Sequence, residues 1–227
     1  MVSLFGADLA PAAPYTPAGG VAPSSNTFGV FFNGIPAPIL YSSSQQINVQ
    51  VPYEIAGAST VQMQVVSTQI QNPVSETRTL GVVARQPAIF LSPAALASPL
   101  PGWSTCGGAA EFGQAALALN ADGTVNDSTN PAVAGSAVTV FLGGFGAATP
   151  ALATGAIAPG PAVALSPSLD PGYPFTGTTV IATKSLPGSI TGVAQVQLQA
   201  GGQSVLLNGP TLAGTPLRER AILIWTR

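Results

Sequence analysis

Glycine and proline set the first limit on what this chain can fold into. Its 26 glycines and 22 prolines are spread along all 227 residues. They show no Gly-X-Y period, which excludes a collagen helix, and they favour many turns and short strands over helices. Helix patterns are correspondingly scarce. The best is "AALALNA", Ala115 to Ala121, and it leads straight into the turn pair Asp122-Gly123. Strand patterns recur instead: "VSLFG" from Val2, "GVFF" and "ILY" on either side of Asn33-Gly34, "INVQV" from Ile47, "STVQMQVVS" from Ser59, "TRTLGVVA" from Thr77. "AVTVFLGG", "TTVIAT", "VAQVQLQA", "SVLLNG" and "ERAILIWTR" follow. Asn-Gly between apolar runs predicts a tight hairpin. Strands at intervals of about 8–15 residues predict an antiparallel sandwich.

One segment tests that reading. "SSSQQINVQVPYEI", Ser42 to Ile55, is rich in serine and amides and carries no charge before Glu54. Such composition often marks a low-complexity tract. Here, however, Ile47, Val49 and Val51 alternate with Asn48 and Gln50 until Pro52 ends the run. The alternation predicts a strand with Ile47, Val49 and Val51 toward a core, and with Asn48 and Gln50 toward solvent or a neighbouring strand.

The same plan occurs twice. "QINVQV" from Gln46 matches "QVQLQA" from Gln195, "VSLFGADLAP" from Val2 matches "VTVFLGGFGAATP" from Val138, and "RTLGVV" from Arg78 matches "RAILIW" from Arg220. The three matches occur in the same order, which predicts two related sandwich domains. Between them lies Leu91 to Pro131, in which "AALALNADGTVN" is expected to form a hairpin, since a structureless loop of that length would be unusual.

Composition narrows the function. Hydrophobic residues make up 46% of the chain, enough for a core, but charged residues only 6%, against about 25% in average soluble proteins. Six Lys and Arg and a net charge of −2 leave no basic patch for phosphates, so nucleic acid is not an expected partner. A polybasic membrane-surface mode fails for the same reason. Mean hydropathy is +0.42, yet no apolar run approaches the ~20 residues of a membrane-spanning helix. Irregular strand spacing and an aromatic content of 7% argue against an outer-membrane barrel with its two aromatic girdles.

Catalytic chemistry has little to work with. The chain has no histidine, and Cys106 is its single cysteine, so neither an internal disulfide nor a cysteine-based zinc cluster is possible. Cys106 is expected to be a loop or packing residue. The acids are Asp8, Glu54, Glu76, Glu111, Asp122, Asp127, Asp170 and Glu219, and only Asp122 and Asp127 lie close in sequence. A glycosidase-like carboxylate pair would need long-range folding that nothing in the sequence favours. Lys184-Ser185 could suggest a Ser–Lys pair, but neighbours on a strand point to opposite faces. "ALNADGTVNDST" resembles a calcium loop only in part. With Gly123 at position 6, Asn120 and Asp122 take positions 3 and 5, while Ala118 and Thr129 stand where the two end carboxylates belong. Asp122 and Asp127 are therefore weak metal candidates, and a turn at Ala121-Asp122-Gly123 is the plainer reading. For a carbohydrate ligand, the candidates are the loop aromatics Trp103, Tyr173 and Phe175, in "LPGW" and "DPGYPF"; Trp225, in the last strand, reads as core.

"VSLFGADLAP", "VFFNGIPAPILYSSSQQINVQVPYEI", "RQPAIF", "ALNADGTVNDSTNPAVAGSAVTVFLGGFG" and "LPGSITGVAQVQLQA" together resemble, in this order, the uncharacterised C-terminal domain family of exported Solibacter-type acidobacterial proteins. The resemblance covers nearly the whole chain. It implies an immunoglobulin-like or related sandwich that closes long secreted proteins, and it brings no catalytic residues with it. Two departures stand out: Gly201-Gly202 replace a proline after "QVQLQA", and the insert "PLPGWSTCGGAAEFG" is long.

The resulting expectation is an all-β chain of two tandem immunoglobulin-like antiparallel β-sandwich domains, at residues 1–92 and 133–227, joined by a hairpin-containing connection at 93–132. Its expected role is a non-catalytic structural or adhesive module, extracellular or at the cell surface, at the end of a larger exported bacterial protein. The alternative is a carbohydrate-binding module accessory to an upstream enzyme. Expected partners are the upstream domains of the same polypeptide and an extracellular glycan or protein. No cofactor and no membrane span are expected.

Overall fold

Strands form where apolar residues alternate with amides and hydroxyls. The computed structural model describes residues 1–10, 14–17, 21–25, 28–68, 74–92, 114–166, 178–201, 205–208 and 221–227. Among these the architecture is all-β. The single helical turn among these residues is a 3₁₀ turn at Tyr53–Ile55, and Ala115 to Leu119 is extended rather than helical, with a turn beginning at Ala121.

The chain packs as two compact units. The first combines Met1–Arg85 with Gly146–Val163 and Ser185–Val193, and the second combines Gln86–Phe145 with Ala164–Lys184 and Ala194–Arg227. This division differs from the consecutive stretches 1–92, 93–132 and 133–227. Gln50, Tyr53 and Glu54 hydrogen-bond to these two segments from the second half.

In the first unit, β1 (Val2–Phe5), β4 (Ile39–Ser42) and β5 (Gln46–Val49) form a sheet in the order β1-β5-β4. A second sheet is made by β2 (Phe28–Phe32), β3 (Ile35–Pro36), β6 (Thr60–Ser67) and β7 (Val74–Gly81), in the order β3-β2-β6-β7. Both sheets contribute to one core: Ile39, Ile47 and Val49 from the first, and Val30, Phe32, Val61, Met63 and Val65 from the second. This is a β-sandwich-like arrangement, and the alternation in "TVQMQVVS" is its cause. Val61, Met63 and Val65 are buried while Thr60 and Gln62 are exposed. Each such valine removed from water contributes on the order of 1.5–3 kcal/mol. Val51 is only partly buried but packs against the same core.

The hairpin at Asn33-Gly34 is present. Both residues have positive φ, 51° and 78°, as a two-residue turn between right-twisted strands requires. Phe32 pairs with Ile35 across it. Asn33 Oδ1 accepts the N–H of Gln62 at 2.8 Å, which fixes the turn to β6.

In the second unit the strands are β8 (Ala88–Ile89), β9 (Gln114–Ala115), β10 (Ala118–Leu119), β11 (Ala137–Gly143), β12 (Thr179–Ser185), β13 (Val193–Gln199), β14 (Val205–Asn208) and β15 (Ala221–Ile224). One sheet has the order β10-β11-β13-β12 with β8 on β11, and the other the order β14-β15-β9. Val138, Val140 and Leu142 on β11 and Ala194, Val196 and Leu198 on β13 are buried.

The matched sequence segments fall on strands whose order can be compared. β1, β4 and β5 assemble as β1-β5-β4, and β11, β12 and β13 as β11-β13-β12. In each case the first strand pairs with the third and the third with the second. Residues 78–81 of "RTLGVV" lie on β7 and Ala221–Ile224 of "RAILIW" on β15, each paired antiparallel with the strand before it. Their neighbours differ: β15 also pairs in parallel with β9, whereas among the described residues β7 is the last strand of its sheet.

Candidate functional site

The loop aromatics Trp103, Tyr173 and Phe175 lie outside the described residues, as does Cys106. Lys184 and Ser185 follow each other on β12, and Ser185 is buried, with Oγ accepting the N–H of Val163 at 2.8 Å. That hydroxyl holds backbone in place.

The segment from Asn120 to Asn130 is a knot of amide and hydroxyl groups. Asn120 N–H donates to Thr124 O at 2.8 Å and Gly123 N–H to Asn120 O at 2.9 Å, and Leu119 pairs with Val125, so a tight turn stands at Ala121-Asp122-Gly123. Asp122 Oδ1 accepts the Thr124 hydroxyl at 2.6 Å and its N–H at 3.0 Å. Asp127 Oδ1 accepts the Thr129 hydroxyl at 2.7 Å and the N–H groups of Thr129 and Asn130 at 2.8 Å. These bonds favour the charged forms. The Thr124 hydroxyl first, then its N–H, holds Asp122 below the usual carboxylate range; the Thr129 hydroxyl, then the two N–H groups, does the same for Asp127. Among the described residues, no three His, Cys, Asp or Glu side chains are grouped to hold a metal ion.

At the centre of the knot is Asn126, 2% exposed. Its Nδ2 donates to Asn120 Oδ1 at 2.9 Å and to the carbonyl of Trp225 at 2.7 Å, and its Oδ1 accepts the N–H of Trp225 at 2.8 Å. One side-chain amide thus serves both backbone groups of a residue near the C-terminus, as a strand neighbour would.

The first unit holds a second polar centre, around Gln50, and here the structure departs from the expectation of an amide facing solvent or a neighbouring strand, since the residues it reaches, Gly155 and Thr191, lie in turns. Gln50 is 2% exposed. β5 ends at Val49, so the strict alternation stops one residue before Gln50, whose own N–H turns to Pro38 O at 2.9 Å. The side chain then reaches two distant segments. Nε2 donates to the carbonyl of Thr191, and Oε1 accepts the N–H of Gly155 at 2.7 Å. Thr191 Oγ1 donates to Ala153 O, which joins the two segments to each other.

Pro52 places the 3₁₀ turn beside this centre. Tyr53 N–H donates to Thr154 Oγ1 at 2.9 Å, and that hydroxyl donates to Glu54 Oε2 at 2.8 Å. Burial pushes the Tyr53 phenol above its usual pKa, partly offset by its hydrogen bond with Gln50. A Cβ on Gly192, whose φ is +98°, would stand 2.8 Å from Tyr53 Oη. Glycine is required here both by the backbone conformation and by the close approach. The Thr154–Glu54 pair superficially resembles a nucleophile and base, but the same hydroxyl oxygen is engaged by the Tyr53 N–H, and the nearby Gly155 N–H is taken by Gln50. Both polar centres are built to satisfy backbone groups.

Sequence reasoning missed Gln50 and Asn126. No local signal marks Gln50, because the backbone groups it binds lie more than 100 residues away. Comparison of the chain with models of protein families, with curated proteins and with solved structures gives no match.

Proposed function

We propose that this chain is a non-catalytic structural or adhesive module of a larger exported bacterial protein, extracellular or at the cell surface. In this reading it consists of two tandem immunoglobulin-like sandwiches that support or space other domains of the same polypeptide. The observation that carries the reading is the use made of Gln50. Both polar atoms of a buried side chain bind backbone more than 100 residues away. Asn126 does the same across 99 residues. Amides in such positions resist separation of distant segments, which is what a module under tension, or one that spaces other domains, needs. The shared strand order of β1-β5-β4 and β11-β13-β12 supports the tandem reading, and the scarcity of charge supports an exported setting.

Two measurements on the full chain test this. Pulled from its termini in a force microscope, the chain should give resolvable unfolding peaks that Gln50→Ala lowers; extension without a peak would remove the mechanical reading. On a glycan array it should stay unbound. Binding that is lost in the triple variant Trp103→Ala, Tyr173→Ala, Phe175→Ala would replace the proposal with the carbohydrate-binding alternative.

A further inference from the structure

Among the described residues, the sheet β3-β2-β6-β7 ends on one side in β7, eight residues long and paired along its whole length with β6. Directly opposed residues of an antiparallel pair share a face. Val65 opposes Glu76, Met63 opposes Arg78 and Val61 opposes Leu80. Val61, Met63 and Val65 are all buried. Glu76 and Arg78 therefore stand on the core side of the sheet, not its outer side, at the point where the sandwich runs out.

They pair with each other there, with side chains 55% and 69% exposed. An ion pair so exposed contributes little to stability. Its placement is nevertheless costly in supply, since the chain has only six Lys and Arg and eight Asp and Glu. On the outer face the strand carries Thr77 and Thr79, the latter hydrogen-bonded to Gln62 at 2.9 Å. Apart from the two charges, β7 carries the strand-favouring Thr77 and Thr79 with Leu80, all exposed, and among the described residues no strand pairs with its far edge, which leaves it a template for another strand. The opposite edge of the same sheet is closed by other means: β3 has two residues, and the second, Pro36, has no N–H to donate.

We infer that Glu76 and Arg78 guard β7 against pairing with the same strand of a second copy of this chain. An added strand would extend the core side over the ion pair and strip water from both charges without providing partners for them. The guard works because the charges point inward; charges on the outer face would remain solvated in such a pair.

The test compares full-length variants by sedimentation velocity over a range of concentrations, with circular dichroism to follow the fold. E76T/R78T removes the charges and keeps strand propensity. It should begin to self-associate at a concentration roughly tenfold or more below the wild type, the size expected when several cross-strand pairs change from unfavourable to favourable. The exchanged pair E76R/R78E should behave as the wild type. Adding L80K to E76T/R78T returns an inward charge at another position and should restore the wild-type behaviour even if the double variant is less stable. The inference is overturned if E76T/R78T associates no more readily than the wild type, or if the exchanged pair associates as readily as the uncharged variant.

Discussion

Gln50 and Thr191 are 141 residues apart in the chain, and the side-chain amide of the first donates to the backbone carbonyl of the second in a buried setting. The other end of the same amide accepts the N–H of Gly155. The first unit is thus completed by chain from the second half of the sequence, and one glutamine joins the pieces.

Replacing Gln50 should show the scale of that tie. Gln50→Leu keeps the volume but leaves the Gly155 N–H and the Thr191 carbonyl without their partner. Two lost bonds with buried groups left unpaired should cost about 2–4 kcal/mol. The shift is read from the urea midpoint at unchanged slope. A loss below about 0.5 kcal/mol, the usual range of a neutral surface change, would mean that the two segments are held by other contacts.

Tyr53 and Gly192 form a steric pair that a cycle of variants can isolate. Gly192→Ala places a Cβ 2.8 Å from Tyr53 Oη at a φ of +98°, and the backbone alone should cost about 1–2 kcal/mol. Tyr53→Phe in the same background removes the clashing oxygen and should recover part of the loss. Equal stability of the single and double variants would show that the hydroxyl does not make the contact.

Tyr53 also sets an alkaline limit. Its phenol is raised above the usual value of 10.0 by burial, so the folded protein holds that proton more tightly than the unfolded chain does. The resulting stability is complete below the unfolded pKa and is lost as pH rises through the folded one. Thermal melts should therefore fall in midpoint above about pH 10, and Tyr53→Phe should flatten that fall.

Asp127 behaves in the opposite sense. Its pKa is lowered chiefly by the Thr129 hydroxyl, so its contribution is present above the ordinary value of 3.8 and is lost as pH falls through the folded pKa. Carbon-detected NMR should show Asp127 and Asp122 titrating below that value. Thr129→Val removes the hydroxyl and should move Asp127 upward while leaving Asp122 unchanged.

Asn126→Ala should loosen the end of the chain. It removes both bonds to the Trp225 backbone and one to Asn120, a loss of about 2–4 kcal/mol for a buried amide with paired backbone groups. Trp225 is half-buried, and tryptophan emission should shift to the red in this variant.

Much of the strand framework could be read in advance, because it depends on local period. Ile47 and Val49 face the core, Val61, Met63 and Val65 follow the same rule, and Asn33-Gly34 makes its turn with neighbours only a few residues away. The polar centres could not be read in that way. Gln50 looks like one more outward amide until Gly155 and Thr191 are brought to it, and nothing local announces partners more than 100 residues off. The inward direction of Glu76 and Arg78 was hidden for a related reason, since their face is set by register against Val65 and Met63. The packing of 146–163 and 185–193 with the first unit depends on contacts far apart in sequence, which no local pattern shows. The aromatic candidates Trp103, Tyr173 and Phe175 lie outside the described residues.

Amide hydrogen exchange at Gly155 tests the account most directly. The residue stands outside the strands, where amides ordinarily exchange quickly, but its N–H is bonded to the buried Gln50 side chain at 2.7 Å. Exchange as slow as that of the core strand amides of Val30 and Ile47, and accelerated to loop rates in Gln50→Ala, is the predicted result. Fast exchange at Gly155 in the wild type, or no change on removing the glutamine, would contradict the claim that Gln50 ties these segments together.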